Sequence, residues 1–214
     1  MAEAITIFYG AATREDAQAI ELRAGRPLRL SDGFYPFAEP PDLIRLDTTA
    51  ARLDFLREHL QSLCDLWAKL PRQFLDAYFA WISAALASEP ARSDLTAVGG
   101  GLFAPADWSF AALRPLPSAL LPAGERAVRT DFAFWTGVGF VVIELPGGRR
   151  ATRHDELARL AAAGVTVIEL APADLANAAA LAVRLPPAFR DFWRSLKLPP
   201  SPFGARDLAI EPAR

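Results

Sequence analysis

The stretch from Arg126 to Leu170 constrains this chain more than any other, because it lays out strand, turn, strand, helix and strand in succession. Ala127–Trp135 and Phe140–Leu145 are apolar runs rich in β-branched and aromatic residues, and Thr136-Gly-Val-Gly139 between them has the composition of a hairpin turn. Pro146-Gly147-Gly148 stops the second run. Thr152 then opens a helix, with Asp155 three residues on in the manner of a capping box. Leu157, Leu160 and Ala161 supply its buried face and Gly164 its stop, after which Val165-Thr-Val-Ile-Glu-Leu170 returns as a strand. A strand, helix, strand crossover sets 165–170 parallel to 140–145, so the expected fold class is α/β with a mixed sheet.

The remainder reads as elements added to that core. Ile5–Tyr9 is a strand candidate, a helix is expected after Thr13, and the prolines at 36, 40 and 41 mark a loop. Leu53, Leu56, Leu60, Leu63, Trp67 and Leu70 recur at helical spacing behind Thr48 as N-cap, with Pro71 as the break. A second helix carries Phe74, Tyr78, Trp81, Ile82 and Ala85 until Glu89-Pro90, completing a helical hairpin. Residues 91–125 read as loop-rich, with a possible strand at Trp108–Leu113. Gly99-Gly100-Gly101 is a turn, since it lacks the lysine and Ser/Thr of a phosphate loop. Ala173–Arg184 and Ala188–Leu196 read as helices before a proline-rich tail. All 214 residues fit one domain: an N-terminal extension (1–47), the helical hairpin (48–90), the core (91–185) and a C-terminal helix with tail (186–214).

Composition excludes several classes of function. With 52% hydrophobic and 22% charged residues the chain is not disordered, and a formal charge of -2 gives no global field toward DNA or anionic lipid. One cysteine, Cys64 beside Leu63, forms no intramolecular disulfide and reads as a buried structural thiol, which suits a cytoplasmic location. No run of 18 uncharged apolar residues and no basic n-region is present, so neither a membrane span nor a secretory signal is expected. Two histidines and one cysteine make a zinc site or a Cys/His nucleophile improbable. Of 23 basic residues only Lys69 and Lys197 are lysines, and arginine is a poor proton shuttle.

The hairpin places two acids together. A turn centred between Gly137 and Val138 pairs Trp135 with Phe140, Ala133 with Val142 and Asp131 with Glu144. Opposed residues have Cβ atoms roughly 4.5–5.5 Å apart, and like charges so placed repel. A shared divalent cation, a shared proton or solvation at the strand ends would each account for the pair. The arginines at 126, 129, 149, 150, 153 and 159 bracket it, interleaved with Glu125, Asp155 and Glu156. They either contact phosphates or form a solvated face. His154, in the first helical turn, is a proton carrier or a surface residue.

Asp131, then twelve residues, then Glu144 at the end of an apolar strand, the helix T-R-H-D-E-L-A-R-L-A-A-A-G and the strand V-T-V-I-E-L together resemble the core of the PD-(D/E)XK nuclease superfamily. The likeness is greatest to its Holliday-junction-resolvase-like and VRR-NUC-like members. It covers about 45 residues well and about 100 loosely, on a short and degenerate motif. The resemblance implies a restriction-endonuclease-like α-β-β-β-α-β core extended by the helical hairpin, with Asp131, Glu144 and the Leu145 carbonyl as ligands of Mg²⁺ or Mn²⁺. It also implies phosphodiester hydrolysis of nucleic acid. The chain departs from the family at Pro146, where the motif lysine would fall. Arg149, Arg150 or Arg153 would supply the charge instead, with Arg153 placed to reach back over the sheet edge as a catalytic candidate, although none is a general base at neutral pH. A weak or inactive nuclease-like protein and a non-catalytic binding or structural protein on an α/β scaffold are both compatible with this pattern. A homodimer or a protein partner is compatible too, including a module using Phe34, Tyr35, Phe37, Phe189, Phe192 and Trp193.

Overall fold

The computed structural model describes residues 4–10, 17–32, 48–64, 69–99, 102–147, 150–194 and 196–200. Its centre is a long bent hairpin. One arm comprises β3 (Leu116–Pro117) and β4 (Leu120–Ala123), the other β5 (Arg126–Arg129) and β6 (Phe132–Trp135). The strand expected over 127–135 is therefore two strands, because the chain bends at Thr130–Asp131 opposite Ser118, a non-glycine residue at φ 51°. Pairing does not slip across the bend: Leu120 opposes Arg129 on one side, and Pro117 opposes Phe132 on the other. Two backbone bonds bridge the gap, Ser118 N–H to the Asp131 carbonyl at 2.9 Å and Thr130 N–H to the Ala119 carbonyl at 2.8 Å.

The bend delivers the two halves of the hairpin to different sheets. β1 (Ala4–Tyr9) and β2 (Gln18–Arg23) extend the first, giving the order β2-β1-β4-β5. β7 (Phe140–Glu144) and β8 (Thr166–Glu169) extend the second, in the order β3-β6-β7-β8. β7 and β8 are parallel while the other pairs are antiparallel, so the molecule is mixed α/β as expected. The hairpin register is also as expected, with Trp135 opposite Phe140 and Ala133 opposite Val142. A helix after Thr13 does not continue into Gln18–Arg23, which is a strand: Leu22 is buried between exposed Glu21 and Arg23, a period of two rather than 3.6.

Alternation along β6 and β7 divides the core. Phe132, Phe134, Val141 and Ile143 point to one face, under the helices α1 (Thr49–Ser62), α2 (Lys69–Ala87), α3 (Glu89–Gly99) and α5 (Ala178–Arg184). Ala133, Trp135 and Val142 point to the other, where α4 (Arg150–Ala162) contributes Leu157 and Leu160 and the first sheet contributes Ile7, Leu22 and Leu121. Both faces of these central strands are thus covered, and the even spacing carries Asp131 and Glu144 onto the α4 side. Ala161, expected in the buried face of α4, is exposed. The helix ends as expected at Gly164 (φ 81°), with Val165 N–H bonded to the Leu160 carbonyl and Gly164 N–H to that of Ala161, a Schellman pattern.

Several expected boundaries move, and proline accounts for two of them. Thr48 does cap α1, its side chain accepting the Ala51 N–H. Pro71 does not break a helix but lies in the first turn of α2, and Pro90 likewise opens α3 within the segment read as loop; a first-turn residue needs no N–H. Trp108–Leu113 is not a strand. Pro105–Ala111 is a 3-10 helix nucleated by Asp107, whose carboxylate accepts the Ala104 N–H at 3.0 Å. The Ala-rich segment starts as a 3-10 turn at Pro172–Leu175, and α5 begins only after Asn177 caps it at the Ala180 N–H. Ala188–Leu196 is no helix but a short 3-10 turn at Pro187–Phe189 followed by turns. Helix 150–162 begins before Thr152, which the sequence placed at its start. The loop at 36–41, Trp67, Gly100 and Gly101 lie outside the described residues. Among the described residues, no helix is long and apolar enough to cross a membrane.

Candidate functional site

At the bend the ladder between β6 and β7 stops carrying backbone bonds and carries side-chain bonds instead. Leu145 N–H donates to Oδ2 of Asp131 at 2.7 Å, and Asp131 N–H donates to Oε1 of Glu144 at 3.3 Å. Each acid thus takes the amide that the facing strand would otherwise leave unpaired, as burial requires. The strands part here because β5 has left for the other sheet. The gap opens into a cleft of ≈ 700 Å³ whose walls include Ser118, Asp131, Glu144, Pro146, Arg153 and His154.

Helix α4 supplies the charge that balances the acids. Arg153 donates through Nε to Oε2 of Glu144 at 3.0 Å and makes a second, shorter bond to the same oxygen through Nη2. Its Nη1 donates to the Arg129 carbonyl at 2.6 Å and to Oε2 of Glu156, one helical turn along, at 2.9 Å. One guanidinium therefore ties α4 to β5 and β7. This is the reach over the sheet edge that the sequence suggested for Arg153, and it brings Asp131, Glu144 and Arg153 together as expected.

Glu144 is only 5% exposed, so solvation at a strand end does not account for it. Burial pushes its carboxyl up from the ordinary 4.5 to about 7; Arg153 opposes that rise and the Asp131 charge adds to it. Burial raises Asp131 as well, against the Leu145 amide and Arg153. Arg153 is raised despite its own burial, because Glu144 and then Glu156 hold it charged. The two partners' shifts pull in opposite senses, one wanting a neutral carboxyl and the other a carboxylate. The two donors on one oxygen favour the ion pair, with the acid nonetheless easier to protonate than a surface glutamate.

The other sequence candidates scatter. His154 and Arg129 line the cleft, whereas Arg126 and Arg159 border a separate depression of ≈ 490 Å³ beside Gly124 and Ala163. Among the described residues, the arginines therefore do not share one phosphate-facing surface. Arg149 and the side chain of Arg150 lie outside the described residues, as do Phe34, Tyr35 and Phe37. Phe189, Phe192 and Trp193 are core residues, not an exposed aromatic surface. Cys64 is a buried structural thiol as expected, pushed up to about 12 chiefly by burial.

Sequence reasoning missed Glu169, which lines the cleft beside Glu144 as its register partner in β8. The signal was a short repeat where no internal repeat was expected. Val-Ile-Glu-Leu occurs at 142–145 and again at 167–170, and the two copies lie side by side.

For a metal, the donor set is oxygen only. Among the described residues no three His, Cys, Asp or Glu side chains converge as a metal cluster, which leaves two carboxylates, backbone carbonyls and water. That suits Mg²⁺ or Mn²⁺, since Mg²⁺ binds through one or two carboxylates and retains several waters. No protein-family model, curated protein or solved structure matches the chain.

Proposed function

We propose that the cleft is a divalent-metal-dependent phosphodiesterase site acting on nucleic acid, of the restriction-endonuclease-like type. The observation that carries this reading is the meeting of Asp131 and Glu144 at the end of paired central strands, with their carboxylates bonded to the facing amides in an open cleft. Asp131 and Glu144 would hold Mg²⁺ or Mn²⁺, with the Leu145 carbonyl beside them. The bound cation would supply Lewis acidity toward a phosphoryl oxygen and a more acidic water. The amides of Leu145 and Asp131 fix the two carboxylates in place. With Pro146 at the position of the motif lysine, Arg153 is the positive charge beside the acids, and as an arginine it stabilises charge without moving a proton. His154, on the cleft wall, is the residue type suited to carrying one.

The test is calorimetric titration of Mn²⁺ into the wild type, Glu144→Ala and Asp131→Asn, followed by cleavage assays on branched, duplex and single-stranded DNA. Binding and cleavage in the wild type that disappear in both variants are expected. A folded wild type that takes up no Mn²⁺ and cleaves nothing overturns the reading. A second reading follows from Pro146 and the Arg153–Glu144 bond: a non-catalytic protein in which the ion pair simply cross-links α4 to β7. A folded wild type that takes up no Mn²⁺, yet loses stability on Glu144→Ala, would favour it.

A further inference from the structure

We propose that Arg153 is the resident counter-cation of the acidic pair, holding Glu144 in the cation-free protein and releasing it when a divalent cation binds, so that guanidinium and cation compete for one carboxylate. This rests on the metal-site reading above and adds to it how the site is filled.

Geometry carries the inference. Both Nε and Nη2 of Arg153 converge on a single oxygen, Oε2 of Glu144, and do not fork across the two carboxylate oxygens. A guanidinium at contact with that oxygen and a dication on the same carboxylate repel each other at close range, in a pocket where water screens them poorly. The cation therefore gains Glu144 at the expense of Arg153. Two further bonds define where the guanidinium goes. Nη1 already holds the Arg129 carbonyl at 2.6 Å and Glu156 at 2.9 Å, and neither bond depends on Glu144. Glu156 sits three residues along the same helix, so it stays within reach whatever Glu144 does. Arg153 released from Glu144 is thus retained on the cleft wall by Glu156 and the β5 backbone. There its free donors face the space that a phosphodiester would enter. Arg153 acts first as a positioning residue for Glu144 and afterwards as an anion-binding group.

The sign of one substitution decides the matter. Mn²⁺ is titrated by calorimetry into the wild type, Arg153→Gln and Arg153→Lys at near-neutral pH, with folding checked by circular dichroism and melting. If Arg153 competes, Arg153→Gln binds Mn²⁺ about tenfold more tightly than the wild type while DNA cleavage falls. Arg153→Lys, which keeps a charge but loses the paired donors on Oε2, gains less and carries the test should Arg153→Gln not fold. If Arg153 merely holds Glu144 in a ligating position, metal affinity and cleavage fall together. Equal or weaker Mn²⁺ binding in the folded variants overturns the competition and leaves the metal site standing. No binding in the wild type or either variant overturns both.

Discussion

Glu144 must be either paired or protonated, because its side chain is buried at the end of β7 with Asp131 beside it. That gives the protein a pH dependence of defined sign. Below the ordinary value of 4.5 the carboxyl is protonated folded and unfolded, and the group is neutral to stability. Between there and about 7 the folded state holds a proton that the unfolded state has lost, so stability falls as pH rises through this window. The loss is on the order of 3 kcal/mol at most, and Asp131, raised in the same direction, adds to it. Urea denaturation from pH 4.5 to 8 in the presence of EDTA should show this slope, and Glu144→Gln should flatten it. A wild-type slope unchanged in the variant would assign the titration elsewhere. The complementary change, Arg153→Ala, leaves Glu144 buried without its cation. It should cost about 2–3 kcal/mol at pH 8 and clearly less at pH 5, where the acid is neutral. Equal costs at both pH values would mean that Arg153 acts through packing rather than charge.

At the scale of elements, turns and caps hold the acids in register. The four-residue turn after β6 closes on itself, with Thr136 N–H and Oγ1 both donating to the Gly139 carbonyl, at 3.1 and 2.8 Å. Gly137 within it sits at φ 90°, and a Cβ there would come within 3.0 Å of the Pro27 backbone nitrogen. Gly137→Ala should therefore cost about 2–3 kcal/mol, read as a drop in the urea midpoint at unchanged m-value. A near-neutral result would show that the 23–28 segment yields. Thr48→Ala should cost about 1 kcal/mol through the lost bond to the Ala51 N–H, a smaller effect because the cap lies on the surface of α1. Element type was legible wherever period and punctuation agreed, as in the β6–β7 hairpin, α4 and β8. It was misread at Pro71, taken as a breaker, and although α2 ends before Glu89-Pro90 as expected, the helix that Pro90 opens was read as loop, since a proline's place in a helix's first turn depends on which side the helix extends.

Across the whole molecule the two cores meet at the central strands, and the larger one is built on aromatic rings. Phe134 is fully buried with its ring centroid 4.8 Å from that of Phe189 and 5.5 Å from that of Tyr78, so one residue joins β6, α2 and the C-terminal turn. Phe134→Ala should cost about 3–5 kcal/mol and loosen all three elements together. Hydrogen exchange that protects α2 as well in the variant as in the wild type would contradict that coupling. Arg114 plays the polar counterpart. It is buried, and its guanidinium donates to the Asp32 carbonyl at 2.6 Å and to the Tyr9 hydroxyl at 3.2 Å, which anchors the N-terminal strands to the rest.

What the amino-acid sequence determined by itself was local and periodic. Alternating apolar residues and a glycine turn set the hairpin register, the crossover set the parallel strand, and together they put Asp131 and Glu144 face to face. It also carried the Val-Ile-Glu-Leu pair that brings Glu169 alongside Glu144. Tertiary structure alone decided that the hairpin bends at Thr130–Asp131 into a second sheet, that the bend opens a cleft, and that Arg153 reaches Glu144. The reason is range. Periodicity reports which way a side chain points along its own strand or helix, whereas the partner of a buried charge is set by how separate elements pack, and that distance is encoded in no single stretch of chain.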